Sequence, residues 1–346
     1  SKPMHDARLI LLCVTLTLQS EVSFGFLTTA FSVPRTVSPQ VQTSAASPIC
    51  TFSKLARSFR PSILKMTATS QTALDCPCTI VGAGRIGLAL ADMGKAAGFE
   101  DTIITRGGSI PADGKGPIYV CTRNDALKPV IDSCPPNRRG DLVFYGQNGY
   151  IEQFLRNEGL FGQVTQVLVY MAVAKKGDKP TDGITDRNPE GLTAATGKWA
   201  PQVAARLRGA GLTCQVLDEA AFRASMLEKL MWISAFMLLG VHHGGIAVGD
   251  VEKRHAPELA QMVKEMMAAV VEEQGVQFQD GVPERLLAYA RSVAHFPTAL
   301  KELEWRNKFF LDLSRARLAA GRPDPLPLHT RLLLQARAAG AVKFDD

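Results

Sequence analysis

Residues 78–106 read CTIVGAGRIGLALADMGKAAGFEDTIITR. The short apolar stretch 78–81 runs into Gly82-Ala83-Gly84-Arg85-Ile86-Gly87. Positions 86–97 then place apolar residues at helical spacing, Gly98 closes them, and Thr102-Ile-Ile-Thr105 reads as a second strand. Glycines alone are weak evidence, but between a strand and a helix each has a physical task. Gly82 permits the tight turn, Gly84 lets a pyrophosphate approach the backbone, and Gly87 lets helix and sheet pack closely. The helix N-terminus offers unpaired N–H groups to the anion. Residues 82–87 therefore predict a dinucleotide site.

The end of the second strand separates the two nicotinamide dinucleotides. An acidic residue there would bind the ribose 2′-hydroxyl of NAD, whereas this chain has Thr105 and Arg106. The planar donor fork of Arg106 suits a 2′-phosphate, so NADP (NADPH) is the expected cofactor. Arg123, after the third strand, is either a further phosphate contact or an ordinary helix-start residue.

Working outward, Pro117-Ile-Tyr-Val-Cys121, Leu142-Val-Phe-Tyr145, 163–173 and 214–217 read as further strands, with helices near 124–133 and 199–209. Strands alternating with helices predict a Rossmann-type α/β domain with a parallel sheet. From Glu219 onward the segments 219–239, 255–274, 283–294, 298–320 and 326–339 all read helical. The partition is thus an NADP-binding domain over 76–217 and an all-helical substrate and catalytic domain over 218–346. The helices of the second domain either complete an internal bundle or bury a partner, which would make a homodimer.

The 346 residues, 46% hydrophobic and 21% charged, suffice for two domains with real cores. The net charge of +6 resides mostly in residues 1–75, with seven Lys/Arg against three Asp/Glu; the rest has 32 against 30. A near-neutral body without a basic, aromatic-laced tract argues against nucleic acid. Seven cysteines make no ligand pattern and read as ordinary thiols.

Residues 1–75 read as a targeting presequence. Residues 9–18 are a short apolar run behind Lys2 and Arg8, like the core of a signal peptide starting at Met4. No Asp or Glu then occurs between Glu21 and Asp75, while Arg35, Lys54, Arg57, Arg60 and Lys65 stand among Ser, Thr, Ala and Pro. Signal-like then transit-like composition predicts plastid delivery, with a mitochondrial, secreted or cytoplasmic protein as alternatives. In the body, 230–241 is apolar but short for a bilayer, so no membrane is expected for the mature protein.

Beyond the turn, the chain resembles the ketopantoate reductase (2-dehydropantoate 2-reductase) family over about 78–335. The resemblance rests on Gly82-Ala-Gly-Arg-Ile-Gly87, Gln147-Asn148-Gly149, Glu228-Lys229-Leu230, Glu302-Leu-Glu-Trp-Arg-Asn307 and Gly321-Arg-Pro323-Asp-Pro325. A plant and algal branch related to this family resembles it more closely, through Asn188-Pro-Glu-Gly-Leu-Thr193, Met226-Leu-Glu-Lys-Leu230, His243-Gly-Gly245 and His295-Phe-Pro-Thr298.

The resemblance implies NADPH-dependent reduction of a small 2-keto acid. It makes Lys229 the proton donor, Glu302 the acid that orients it or binds a substrate hydroxyl, Asn307 a substrate-binding amide, and Asn148 a contact to the nicotinamide ribose or substrate. The residues themselves agree in part: Lys229 stands among Met226, Leu227, Leu230, Met231, Trp232 and Ile233, where desolvation would lower its pKa. A solvent-facing lysine is the alternative. Glu304 is an alternative acid, since Glu and Asn three residues apart share a helix face.

Departures from the family bear on the substrate. Ile233 replaces an Asn, Lys308 replaces a Gly, and the stretch before Glu302 is shortened. Lys308 or Arg306 would suit a more acidic substrate. A reductase or dehydrogenase of another hydroxy or sugar acid, and a non-catalytic NADP-binding sensor or structural protein, are the competing functions. His242-His243 has no acidic or cysteine partner nearby in the sequence, so an interhelical turn or cleft lining is expected and no metal.

Overall fold

The computed structural model describes residues 74–145 and 148–345. The expected presequence, except Leu74 and Asp75, lies outside them, as does Gln147. Seven strands form one sheet: β1 (Thr79–Val81), β2 (Thr102–Ile104), β3 (Ile118–Val120), β4 (Leu142–Phe144), β5 (Thr165–Leu168), β6 (Ala194–Thr196) and β7 (Gln215–Val216). Their order is β2-β1-β3-β4-β5-β6-β7. Beside them run α1 (Arg85–Ala96), α2 (Leu127–Ser133), α3 (Glu152–Asn157) and α4 (Ala200–Gly209).

Alternation along the strands sets the layers, because successive side chains leave opposite faces. Ile80, Tyr119, Val143 and Val167 pack against Leu90 and Met93 of α1 and Val203 and Leu207 of α4. Val81, Ile118, Val120, Leu142 and Phe144 pack against Leu127, Val130 and Ile131 of α2 and Leu155 of α3. With both faces covered, β1, β3 and β4 read as continuous apolar runs.

The sheet is mixed rather than wholly parallel. β5 and β6 are antiparallel, with Val167 opposite Ala195, while β1 to β5 are mutually parallel, and so are β6 and β7. No helix crosses between β5 and β6; the chain returns through an irregular excursion over 169–193 that carries an antiparallel bridge between Ala172 and Thr181. The expected strand over 163–173 pairs in the sheet only as Thr165–Leu168; 169–173 runs on past it, with Tyr170 packed in the helical core and Val169, Met171 and Val173 in the sheet core.

That half comprises α5 (Glu219–His242), α6 (Val248–Gln274), α7 (Val282–Ser292), α8 (Asn307–Ala319) and α9 (Pro327–Ala338). Asp218 starts α5 by accepting the Ala221 N–H at 2.8 Å. The helix is apolar nearly all round because it is the central member of the bundle, packed against α6 and α9. Its 24 residues are long and apolar enough to cross a bilayer, further than the run at 230–241 suggested. However, 72% of its most apolar window is buried within the protein.

The expected single helix over 298–320 is broken. Glu302 has φ 50° and ψ 48°, Leu303–Trp305 is one 3-10 turn, and Arg306 has φ −127° and ψ −95° before α8 begins. Glu302 is the one non-glycine with positive φ among the described residues. Contacts to the loop after β4 hold the break: Tyr150 N–H donates to the Trp305 carbonyl at 2.7 Å and Arg306 Nε to the Asn148 carbonyl at 2.8 Å.

Candidate active site

The parallel register places the candidate residues along one edge. Val81 lies opposite Ile104 and Val120, and Val120 opposite Phe144. Residues directly after these strands, including Gly82, Thr105, Arg106, Arg123 and Asn148, therefore emerge at the carboxyl ends of the parallel strands, where ligands bind in open α/β sheets.

The glycine turn has the close packing its spacing predicts. Gly82 adopts φ 106°, and a Cβ on Gly87 would stand 2.0 Å from the Gly82 carbonyl oxygen. Ala83 and Ile86 fill the turn as half-buried side chains. α1 begins after Gly84 without a side-chain cap, which leaves its first N–H groups available to an anion. Arg85 reaches across to the Val173 and Ala174 carbonyls, 3.1 Å from each, and ties the turn to the segment leaving β5. Arg106 is exposed. Arg123 is exposed and pairs with Asp125 at 2.8 Å. The turn, the uncapped helix start and Arg106 fit a phosphorylated dinucleotide.

Lys229 is 5% exposed, in α5. Its amine donates to the Val169 carbonyl and stands 4.4 Å from the Tyr170 ring centroid. Burial, reinforced by the nearby positive charge of Arg306, lowers its pKa to about 7. A narrow crevice of about 10 Å³, room for about one water, lies next to it and is lined by Asn148, Gly149, Leu168, Met226, Leu230 and Ile233. Ile233 thus faces the crevice, one helical turn beyond the lysine. A much larger cavity opens elsewhere, between Glu190, Glu219, Arg223, Glu228 and Arg285, with Tyr170 on its wall.

Glu302 makes no hydrogen bond or ion pair to Lys229; it pairs with Arg306. Arg306 is 9% exposed and joins the Glu302 carboxylate to the Asn148 carbonyl. Burial pushes its pKa down against the opposing pull of Glu302. From sequence alone Arg306 is only a candidate anion holder, because its position depends on the break after Glu302, which helical periodicity does not announce.

That break also removes the argument for Glu304. It sits exposed on the 3-10 turn, while Asn307 opens α8, so the two do not share a helix face. Asn307 is 2% exposed, with its Oδ1 3.0 Å from Nε2 of the buried His329. Lys308 pairs with Asp312 at 2.6 Å. The structure therefore gathers Asn148, Lys229, Glu302 and Arg306, and turns Asn307 toward α9.

No protein-family model matches the chain, and no curated protein matches its sequence. Solved structures do. A PanE/ApbA family ketopantoate reductase from Ralstonia eutropha JMP134 superposes with a TM-score of 0.57 at 17% identity, covering 77% of this chain and 100% of the other. A 2-dehydropantoate 2-reductase from Methylococcus capsulatus gives 0.57 at 13% identity, covering 78% and 99%. D-mandelate dehydrogenase with NADH gives 0.53 at 15% identity, covering 76% and 99%. The Rossmann-type sheet and the helical bundle behind it are together the fold of the ketopantoate reductases.

Proposed function

We propose that this protein is an NADPH-dependent reductase of a small 2-keto acid, with Lys229 as its proton donor. Dehydropantoate is a 2-keto acid and mandelate a 2-hydroxy acid, so the proteins that share this fold act beside a carboxylate. The observation that carries the reading is a buried lysine with its pKa lowered to about 7, at the carboxyl ends of the strands and on the wall of a crevice. An amine titrating there gives and regains a proton near neutral pH.

Gly82, Ala83, Gly84, Arg85, Ile86 and Gly87 would hold the pyrophosphate, and Arg106 the 2′-phosphate. When bound, NADPH supplies the hydride that adds to the carbonyl carbon. The Lys229 ammonium gives its proton to the carbonyl oxygen as negative charge develops, so the ketone becomes a secondary alcohol and the amine is left neutral. The Val169 carbonyl aims the amine, and the Tyr170 ring supports its charged form. Glu302 acts through Arg306, which fixes the Asn148 loop to the turn preceding α8. The apolar Ile233 suits a substrate with an aliphatic or aromatic tail.

The test is an NADPH-oxidation screen of the purified protein with ketopantoate and other 2-keto acids. Turnover with at least one is expected. Tight NADPH binding without turnover across the panel favours the second reading, a non-catalytic NADP-binding protein, to which the engaged Lys229 amine and the narrow crevice lend support.

Cofactor choice has its own prediction. A charge-assisted hydrogen bond contributes roughly 1.5–3 kcal/mol, so Arg106→Gln should weaken NADPH about 10- to 100-fold and leave NADH nearly unchanged. Equal binding of NADPH by variant and wild type, measured by fluorescence titration, would remove Arg106 from the phosphate site.

A further inference from the structure

His242 and His243 end α5, and the chain turns away immediately through Gly244 and Gly245, both with positive φ (87° and 80°). The sequence shows no acidic residue beside this pair, but the fold supplies one. Glu258, on α6, places Oε2 2.6 Å from Nε2 of His243. One ligand atom each from His242, His243 and Glu258 lies within 4.8 Å of the others. His255 adds a fourth imidazole side chain to the cluster, stacked on His243 with ring centroids 3.5 Å apart and 10° between planes.

α6 is bent where it meets this cluster. His255 has non-helical φ −131° and ψ 30°, two residues before Pro257, whose ring and missing N–H break the regular turn. Three residues past the bend, Glu258 faces the end of α5.

The geometry points to a zinc-class divalent cation site formed by His242, His243 and Glu258, distinct from the dinucleotide turn and the Lys229 crevice. Two imidazoles and one carboxylate are a borderline donor set that suits Zn²⁺ and related transition ions, whereas Mg²⁺ and Ca²⁺ select oxygen ligands. Tetrahedral zinc with bonds of about 2.0–2.1 Å separates its ligand atoms by roughly 3.4 Å. The His243–Glu258 pair must open slightly and the wider separation must close. His242 is exposed and the other two are half-buried, so side-chain rotation suffices. The fourth position is left to water. The cation would also sit at the carbonyl end of α5, where the helix dipole favours positive charge.

Such an ion would clamp the end of the lysine-bearing helix to α6. The turn it would hold already pairs with the segment leading to Glu302: Thr298 Oγ1 donates to the Ile246 carbonyl at 2.6 Å, and Val248 N–H to the Phe296 carbonyl at 3.0 Å.

The full chain, stripped with a chelator, is titrated calorimetrically with Zn²⁺ and with Mg²⁺, and its cobalt form is examined by absorption. One equivalent of Zn²⁺ is expected, with none of Mg²⁺ at that site. His242→Ala and Glu258→Gln should each weaken binding at least ~10-fold and abolish the rise in Tm that Zn²⁺ gives wild type. The free cysteines supply the control. Cobalt held by nitrogen and oxygen shows ligand-field bands without thiolate charge transfer. Unchanged zinc affinity in both variants, or a thiolate charge-transfer band in the one-equivalent complex, overturns the site. Because His242 is exposed, its variant keeps the apo fold, and equal apo Tm values check this.

Discussion

Lys229→Met should abolish turnover and, at neutral pH, stabilise the protein. Removing the proposed proton donor is expected to cut kcat at least ~100-fold, while NADPH affinity, which we assign to the glycine turn and Arg106, is unchanged. The stability gain follows from burial. Lys229 titrates at about 7 in the folded protein against 10.5 for an ordinary lysine, chiefly because burial penalises its charge. Below pH 7 both folded and unfolded chains carry the proton, so folding bears the full cost of a buried charge. Between 7 and 10.5 the unfolded chain holds more protons than the folded one, so wild-type stability rises with pH. Above 10.5 both are neutral and the cost is gone. The methionine variant lacks this dependence, so its advantage in Tm is largest below pH 7 and shrinks from 7 to 10.5.

The rate should carry the same signature. kcat/KM for reduction falls as pH rises through about 7, because the amine loses the proton it must donate; oxidation of the alcohol rises over the same range. A bound carboxylate substrate would favour the ammonium, so the limb in kcat lies above the limb in kcat/KM. A variant that is inactive and also less stable at pH 7 would make Lys229 a packing residue. A variant that keeps activity within about tenfold of wild type would end its role as acid, which is expected to contribute more.

How far this site was legible differs from residue to residue. The glycine turn was plain because each glycine answers a local steric demand, and β1, β3 and β4 because burial on both faces leaves unbroken apolar runs. β6 was missed: Ala194-Ala195-Thr196 has little β propensity, and its place is set by pairing with β5. The apolar neighbours of Lys229 announced its burial. Neither the Val169 carbonyl nor the bond from Arg306 to Asn148 was visible, because both depend on contacts between segments far apart in the chain. The left-handed turn at Glu302 was hidden for the same reason: its local residues favour helix, and the loop after β4 overrides them. The acidic partner of His243 escaped because it lies 15 residues on, beyond a bend.

The second large effect concerns Arg206, whose side chain is fully buried in α4. Its Nε lies 2.8 Å from Asp75 Oδ2, its Nη1 2.6 Å from Asp101 Oδ2, and its Nη2 donates to the Cys76 carbonyl at 2.8 Å. Asp101 also accepts the Cys78 N–H at 2.9 Å. One guanidinium thus ties α4 to the segments entering β1 and β2, at the end of the sheet opposite the glycine turn. Arg206→Met leaves two buried carboxylates without a counter-charge, which costs about 3–5 kcal/mol and should lower Tm by roughly 10 °C. Protonation relieves the variant, so its deficit is expected to narrow as pH falls into the carboxylate range. Adding Asp75→Asn and Asp101→Asn should recover much of the loss for the same reason. Arg206→Lys recovers only part, because an ammonium lacks the planar fork that serves both carboxylates and the carbonyl. NADPH affinity of the folded variant stays near wild type, since nothing at the carboxyl ends of the strands has changed. A Tm drop under about 2 °C, which in a protein of this size corresponds to less than ~1 kcal/mol, would mean that water enters to solvate the two aspartates and that packing rather than charge holds this end of the sheet.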